Sequence, residues 1–107
     1  MINYNGRLFR GTADGGAVVA RYHQHGELVW ADFTGAGVRR GAVNGMCDLD
    51  GRLRLAYSMV LVDGELVCGY TLSTPERGPD GRISLREEWE RYGANAATGI
   101  SYLEEMR

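Results

Sequence analysis

Residues 81–93, GRISLREEWERYG, carry an acidic side chain where water is not expected. Read as a β-strand, the segment puts Ile83, Leu85 and Trp89 on one face, and Glu87 must lie among them. The opposite face takes Arg82, Ser84, Arg86, Glu88 and Glu90. Burying an unpaired carboxylate costs several kcal/mol, so Glu87 must be hydrogen-bonded, protonated or facing a solvated cavity. Two chemistries follow. Glu87 either closes an internal network with a tyrosine or an arginine, or it anchors a small molecule inside mainly apolar walls. On the second reading, burial raises its pKa toward working pH, which also suits a general acid or base.

Other chemically competent groups form weaker patterns. His23-Gln24-His25 would place two imidazoles on one strand face, but a metal site needs a third ligand that the sequence does not offer. No metal or cofactor is therefore expected. Serine, histidine and aspartate all occur, yet no GxSxG elbow is present. All 12 basic residues are arginine, which excludes Schiff-base catalysis and the lysine of a phosphate-binding P-loop. Cys47 and Cys68 lack CxxC spacing and read as two free thiols. A net charge of −2 gives no reason to expect nucleic acid or an anionic membrane as partner. With no apolar run long enough to span a bilayer and no signal-peptide pattern, a cytoplasmic protein is expected.

The elements that must position Glu87 are legible from turns. Glycine-containing turns occur at Asp14-Gly15-Gly16, His25-Gly26, Gly35-Ala36-Gly37, Asp50-Gly51, Asp63-Gly64, Asp80-Gly81 and Gly93-Ala94-Asn95. Asp-Gly between alternating segments is a hairpin signal, because both residues tolerate positive φ. After four of these turns the chain restarts alike: Gly26-Glu27-Leu28, Gly51-Arg52-Leu53, Gly64-Glu65-Leu66 and Gly81-Arg82-Ile83. Strands are expected at 2–4, 7–12, 17–24, 27–33, 38–47, 52–62, 65–74, 82–91 and 98–105. A helix over 84–92, with Leu85, Glu88, Trp89 and Tyr92 on one face, is the competing reading of that segment. Its alternation after a hairpin turn favours the strand. Short connections make neighbours antiparallel, and about eight such strands can close and remove exposed edges. The 107 residues are thus expected to form a single-domain, all-β, antiparallel up-and-down barrel, with an open β-sandwich as the alternative.

Alternation also assigns faces. Leu53, Leu55, Tyr57, Met59 and Leu61 point inward, as do Val18, Ala20, Tyr22 and Gln24. Val29, Ala31 and Phe33 are taken as inner residues, which leaves Trp30 outside. The candidate ligand contacts are therefore Tyr22, Gln24, Tyr57, Glu87 and Ser101, with Trp89 as an aromatic wall. Inner residues Ala20, Ala31, Gly41, Gly45 and Gly69 are small; they either leave room for a ligand or permit strand curvature. Segment 65–72, ELVCGYTL, is apolar on both faces, and an apolar outer face needs a cover, so a homodimer is expected. Arg39-Arg40 reads as a solvated strand end and Glu104-Glu105-Met106-Arg107 as a fraying terminus.

One order of motifs spans nearly the whole chain. It runs Ile2-Asn3-Tyr4-Asn5-Gly6-Arg7 with Phe9-Arg10, then Tyr22-x-Gln24-x-Gly26, then Ser73-Thr74-Pro75-Glu76. Asp80-Gly81-Arg82-Ile83-x-Leu85-x-Glu87-x-Trp89 follows, and Gly99-x-Ser101 with Glu104 closes it. It resembles a family of small bacterial proteins that carry the label N-acetylglutamate synthase, departing from it at Ala36 and Arg91. The label implies acyl transfer from coenzyme A, yet no glycine-rich loop opening a helix is present to hold the pyrophosphate. The barrel expected from the strands resembles lipocalin-like or avidin-like barrels. Three functions remain open: a module binding a small, partly apolar molecule, an enzyme using Glu87 as acid or base, and a partner-binding dimer with a filled core.

Overall fold

The computed structural model of the chain describes residues 2–13, 16–35 and 37–106. Eight strands follow one another as β1 (Leu8–Ala13), β2 (Gly16–His25), β3 (Leu28–Gly35), β4 (Val38–Cys47), β5 (Leu53–Leu61), β6 (Leu66–Arg77), β7 (Ile83–Arg91) and β8 (Ala97–Glu105). They form a closed barrel in sequence order, every neighbour antiparallel. Among the described residues no helix is long and apolar enough to cross a membrane. The expected barrel is therefore observed, and residues 84–91 of the segment with the competing helical reading are strand.

The turns behave as their residues dictate. Strands β3, β5, β6 and β7 start on Leu28, Leu53, Leu66 and Ile83, the apolar residues of the four restart sequences. Gly26, Gly51, Gly64 and Gly81 hold φ of 60°, 82°, 89° and 81°, which a side chain would strain. The aspartates brace these turns: Asp48 Oδ1 accepts the N–H groups of Asp50 and Arg52, Asp63 Oδ1 that of Glu65, and Asp80 Oδ1 that of Arg82. The turns expected at Asp14-Gly15-Gly16 and Gly35-Ala36-Gly37 include positions outside the described residues, as does Ala36 itself.

Three expectations are corrected. Residues 2–4 form no strand. They fold across one end of the barrel, where Tyr4 is fully buried and its Oη donates to the Gly51 carbonyl at 2.6 Å. An aromatic ring can cap an end that a three-residue strand could not. Second, the terminus does not fray at Glu105: Arg7 Nη1 donates to both Glu105 carboxylate oxygens at 3.0 and 2.8 Å, and Glu105 Oε1 accepts the Ile83 N–H at 3.0 Å. The ion pair closes the same end; Arg107 lies outside the described residues. Third, β6 continues through Pro75 to Arg77. Its pairing with β5 ends at Leu53↔Ser73, so the proline's missing N–H falls where β6 has lost that neighbour.

The core lies in two parts along the barrel axis. The larger cluster includes Tyr4, Phe9, Tyr22, Val29, Leu53, Leu55, Ile83 and Leu85, at the end that Tyr4 caps. The smaller, toward the other end, holds Val18, Val38, Met59, Leu61 and Val67. Arg39 and Arg40 are exposed, as expected.

Candidate functional site

Between the two clusters the barrel is open. A cavity of about 550 Å³ is lined by apolar side chains such as Val18, Phe33, Leu55, Met59 and Trp89, with Tyr22, Thr71, Glu87 and Ser101 as polar groups. The size falls in the range of small-molecule sites. Tyr22, which lines the cavity, belongs to an aromatic triad: the Phe9 and Tyr22 rings meet edge-on at 5.1 Å between centroids, and Tyr4 lies tilted at 6.1–6.3 Å from both. Ile100, which is exposed on β8, also borders the cavity, so the space reaches the surface beside that strand. There β1 and β8 pair only at Phe9↔Glu105 and Arg10↔Glu104.

The lumen stays open because rings lie flat on its wall. Phe33, Tyr57 and Trp89 each face a glycine directly across on the next strand: Gly41, Gly69 and Gly99. A Cβ at Gly41 would meet the Phe33 ring at 2.3 Å, one at Gly69 the Tyr57 ring at 2.6 Å, and one at Gly99 the Trp89 ring at 2.4 Å. Each glycine thus accepts an aromatic side chain that would otherwise fill the centre. Gly99→Ala should keep the barrel folded at a cost of about 1–3 kcal/mol while driving the Trp89 ring into the lumen. A crystal structure of the variant should show a smaller cavity; an unmoved ring would contradict this account of the opening.

Glu87 occupies the middle of the wall. Period two along β7 turns Ile83, Leu85, Glu87, Trp89 and Arg91 inward, and the register sets Glu87 between Ser73 on β6 and Ser101 on β8. Ser73 Oγ donates to Glu87 Oε2 at 3.0 Å. Burial raises the Glu87 carboxyl from its ordinary 4.5 to about 7, while the Ser73 hydrogen bond pulls in the opposite direction. Tyr22 is pushed well above 10, first by burial and then by the Glu87 charge, so it remains a neutral phenol. At neutral pH the site offers a carboxyl that exchanges its proton readily, beside hydroxyls that do not ionise.

Five of the six expected contacts come together: Tyr22, Tyr57, Glu87, Trp89 and Ser101 all line the cavity. Gln24 does not. Its Oε1 accepts the Tyr4 N–H at 2.8 Å and its Nε2 donates to the Gly26 carbonyl at 2.9 Å, which places it at the capped end. Alternation put Gln24 on the correct face but could not reveal that Tyr4 shuts the barrel above it. Thr71, Phe33 and Arg91 also line the cavity. Arg91 was legible, since the period that turns Glu87 and Trp89 inward continues two residues further. His23 stacks on Trp30 outside the barrel, centroids 5.5 Å apart. Among the described residues no cluster of His, Cys, Asp or Glu could hold a metal ion.

With a closed eight-stranded barrel and an internal cavity established, comparison with known families is decisive. A family model described as avidin-like protein matches residues 2–106. The chain belongs to the avidin-like family. Neither the curated proteins nor the solved structures yield a match. Membership in the avidin-like family accounts for the whole described barrel, including the capping segment that carries Tyr4.

Proposed function

We propose that the protein is a binding module for a small, partly apolar molecule held inside the barrel. The observation that carries this reading is the 550 Å³ cavity, whose apolar walls converge on a few polar groups at Glu87. A filled core would have left no such space. Family membership supports the same reading, because avidin-like barrels bind small molecules such as biotin. Phe33, Tyr57 and Trp89 set the shape, and Tyr22, Glu87 and Ser101 set orientation.

The chain has two tryptophans. A Trp30→Phe variant leaves Trp89 as a lone reporter on the cavity wall. Titration with biotin and with a panel of partly apolar compounds should change its emission saturably for at least one compound. Emission unmoved across the panel would count against an accessible lumen.

An enzyme on the same scaffold is the second reading, favoured by the placement of Glu87 inside the cavity beside Ser73, where burial pushes its carboxyl up to about 7. Glu87→Gln separates the two: a module keeps its ligand, whereas an enzyme keeps ligand and loses turnover.

The outer face of β5 and β6 supports a homodimer. Leu66 is 78% exposed, Cys68 and Tyr70 are also exposed, and the register sets Val60 beside Leu66 and Ala56 beside Tyr70. A second copy of this face would cover it. Sedimentation at micromolar concentration should give a dimer, and Leu66→Arg should give a monomer. A wild-type protein that sediments as a monomer would remove the proposal.

A further inference from the structure

The cavity contains a cation without a counter-charge. Arg91 continues the inward face of β7 beyond Trp89 and borders the cavity. Its Nε is buried and has no hydrogen-bond partner. Among the described residues, Arg91 enters no ion pair, and Glu88 and Glu90 alternate onto the outer face of the strand. The side chain that it bonds is Tyr57, whose ring lies over Gly69, the residue opposite Arg91 on β6. A phenol satisfies one donor and neutralises no charge.

An arginine costs more to bring into an apolar enclosure than a serine or glutamine that could also offer a hydrogen bond. What it adds is a fixed positive charge and a planar fork of N–H donors, which fits the paired oxygens of a carboxylate or a phosphate. At roughly 3.3 Å per residue, Arg91 lies about 13 Å along the strand from Glu87, with Trp89 between them on the same face. The two ends of the site are therefore chemically distinct: a fixed cation at one, a hydrogen-bonding carboxyl at the other, and an apolar wall between.

We propose that Arg91 is an oxyanion seat and that the ligand is a partly apolar acid. Its anionic group docks on the guanidinium of Arg91 where that side chain borders the cavity, and its hydrocarbon body lies against Phe33, Met59 and Trp89. This inference rests on the reading of the lumen as a ligand site. Carboxylates and phosphate monoesters share the required chemistry, and the experiment separates them.

The test is isothermal titration of the full chain at pH 6, where Glu87 is mostly protonated and Arg91 is the main charge facing the lumen. The probes are octanoate, octyl phosphate and octanol, which share one hydrocarbon body. The wild type should bind octanoate or octyl phosphate at least tenfold more tightly than octanol, the expected gain from a charge-assisted hydrogen bond. The tighter of the two acids identifies the class. Arg91→Leu should abolish the preference, read as the ratio of acid to octanol affinity in the same variant, and Arg91→Lys, which keeps the charge but loses the fork, should retain only part of it. Equal binding of acid and alcohol by the wild type would overturn the oxyanion seat and leave the lumen reading standing. A preference that survives in Arg91→Leu would overturn it as well. Should none of the three probes bind, the oxyanion seat falls, and the Trp89 titration with biotin and the wider panel decides the lumen reading separately. The wild-type comparison decides the matter even if the leucine variant fails to fold.

Discussion

Glu87→Gln should make the protein more stable at pH 8 by about 3 kcal/mol and leave it nearly unchanged at pH 4. The carboxyl titrates at about 7 in the folded barrel, against 4.5 without burial, and that difference sets the magnitude. Between those two values the folded state holds a proton that the unfolded chain has released. Unfolding then releases a proton, so the Glu87 contribution to stability is greatest below about pH 4.5, falls as pH rises and levels off above about 7. Glutamine has nearly the same shape, can still accept from Ser73 Oγ and carries no charge to desolvate. Urea denaturation midpoints at pH 4, 6 and 8 check the claim. Wild-type and variant stabilities that run parallel with pH would show that Glu87 is not shielded from water by the barrel.

The other large effect is expected at the capped end. Tyr4→Ala should destabilise the barrel by about 4 kcal/mol, within the range for deleting a fully buried aromatic side chain. It removes the ring that packs beside Phe9 and Tyr22 and leaves the Gly51 carbonyl without the phenol that donates to it. Tyr4→Phe isolates the hydrogen bond and should cost about 1 kcal/mol. Chemical denaturation of both variants measures the difference. A Tyr4→Ala variant as stable as the wild type would mean that residues 2–4 do not hold this end closed.

Most of the barrel was legible because its information is local. Four restart sequences fix where strands begin, and the alternation Leu53, Leu55, Tyr57, Met59, Leu61 fixes which face of β5 is core. Taking Val29 as inner leaves Trp30 outside, and the stacking of Trp30 on His23 and the full burial of Val29 agree with both. What local patterns could not supply were contacts made across the barrel. Tyr4 and Gly51 are 47 positions apart, and Arg7 and Glu105 are 98 apart. Nothing in either short segment says that the two meet, so local pattern alone makes the cap a strand and the ion pair a loose terminus. The glycines at 41 and 69 were ambiguous for the same reason. Their role depends on Phe33 and Tyr57 lying opposite, which only the register reveals.

Native mass spectrometry of the protein purified from its own host tests the central claim most directly. The account predicts a discrete small-molecule mass retained by the wild type and lost from Gly99→Ala, whose displaced Trp89 ring occupies the same space. The bare chain mass alone in the wild type, under gentle conditions that preserve its oligomer, would contradict the claim that this lumen is a binding site.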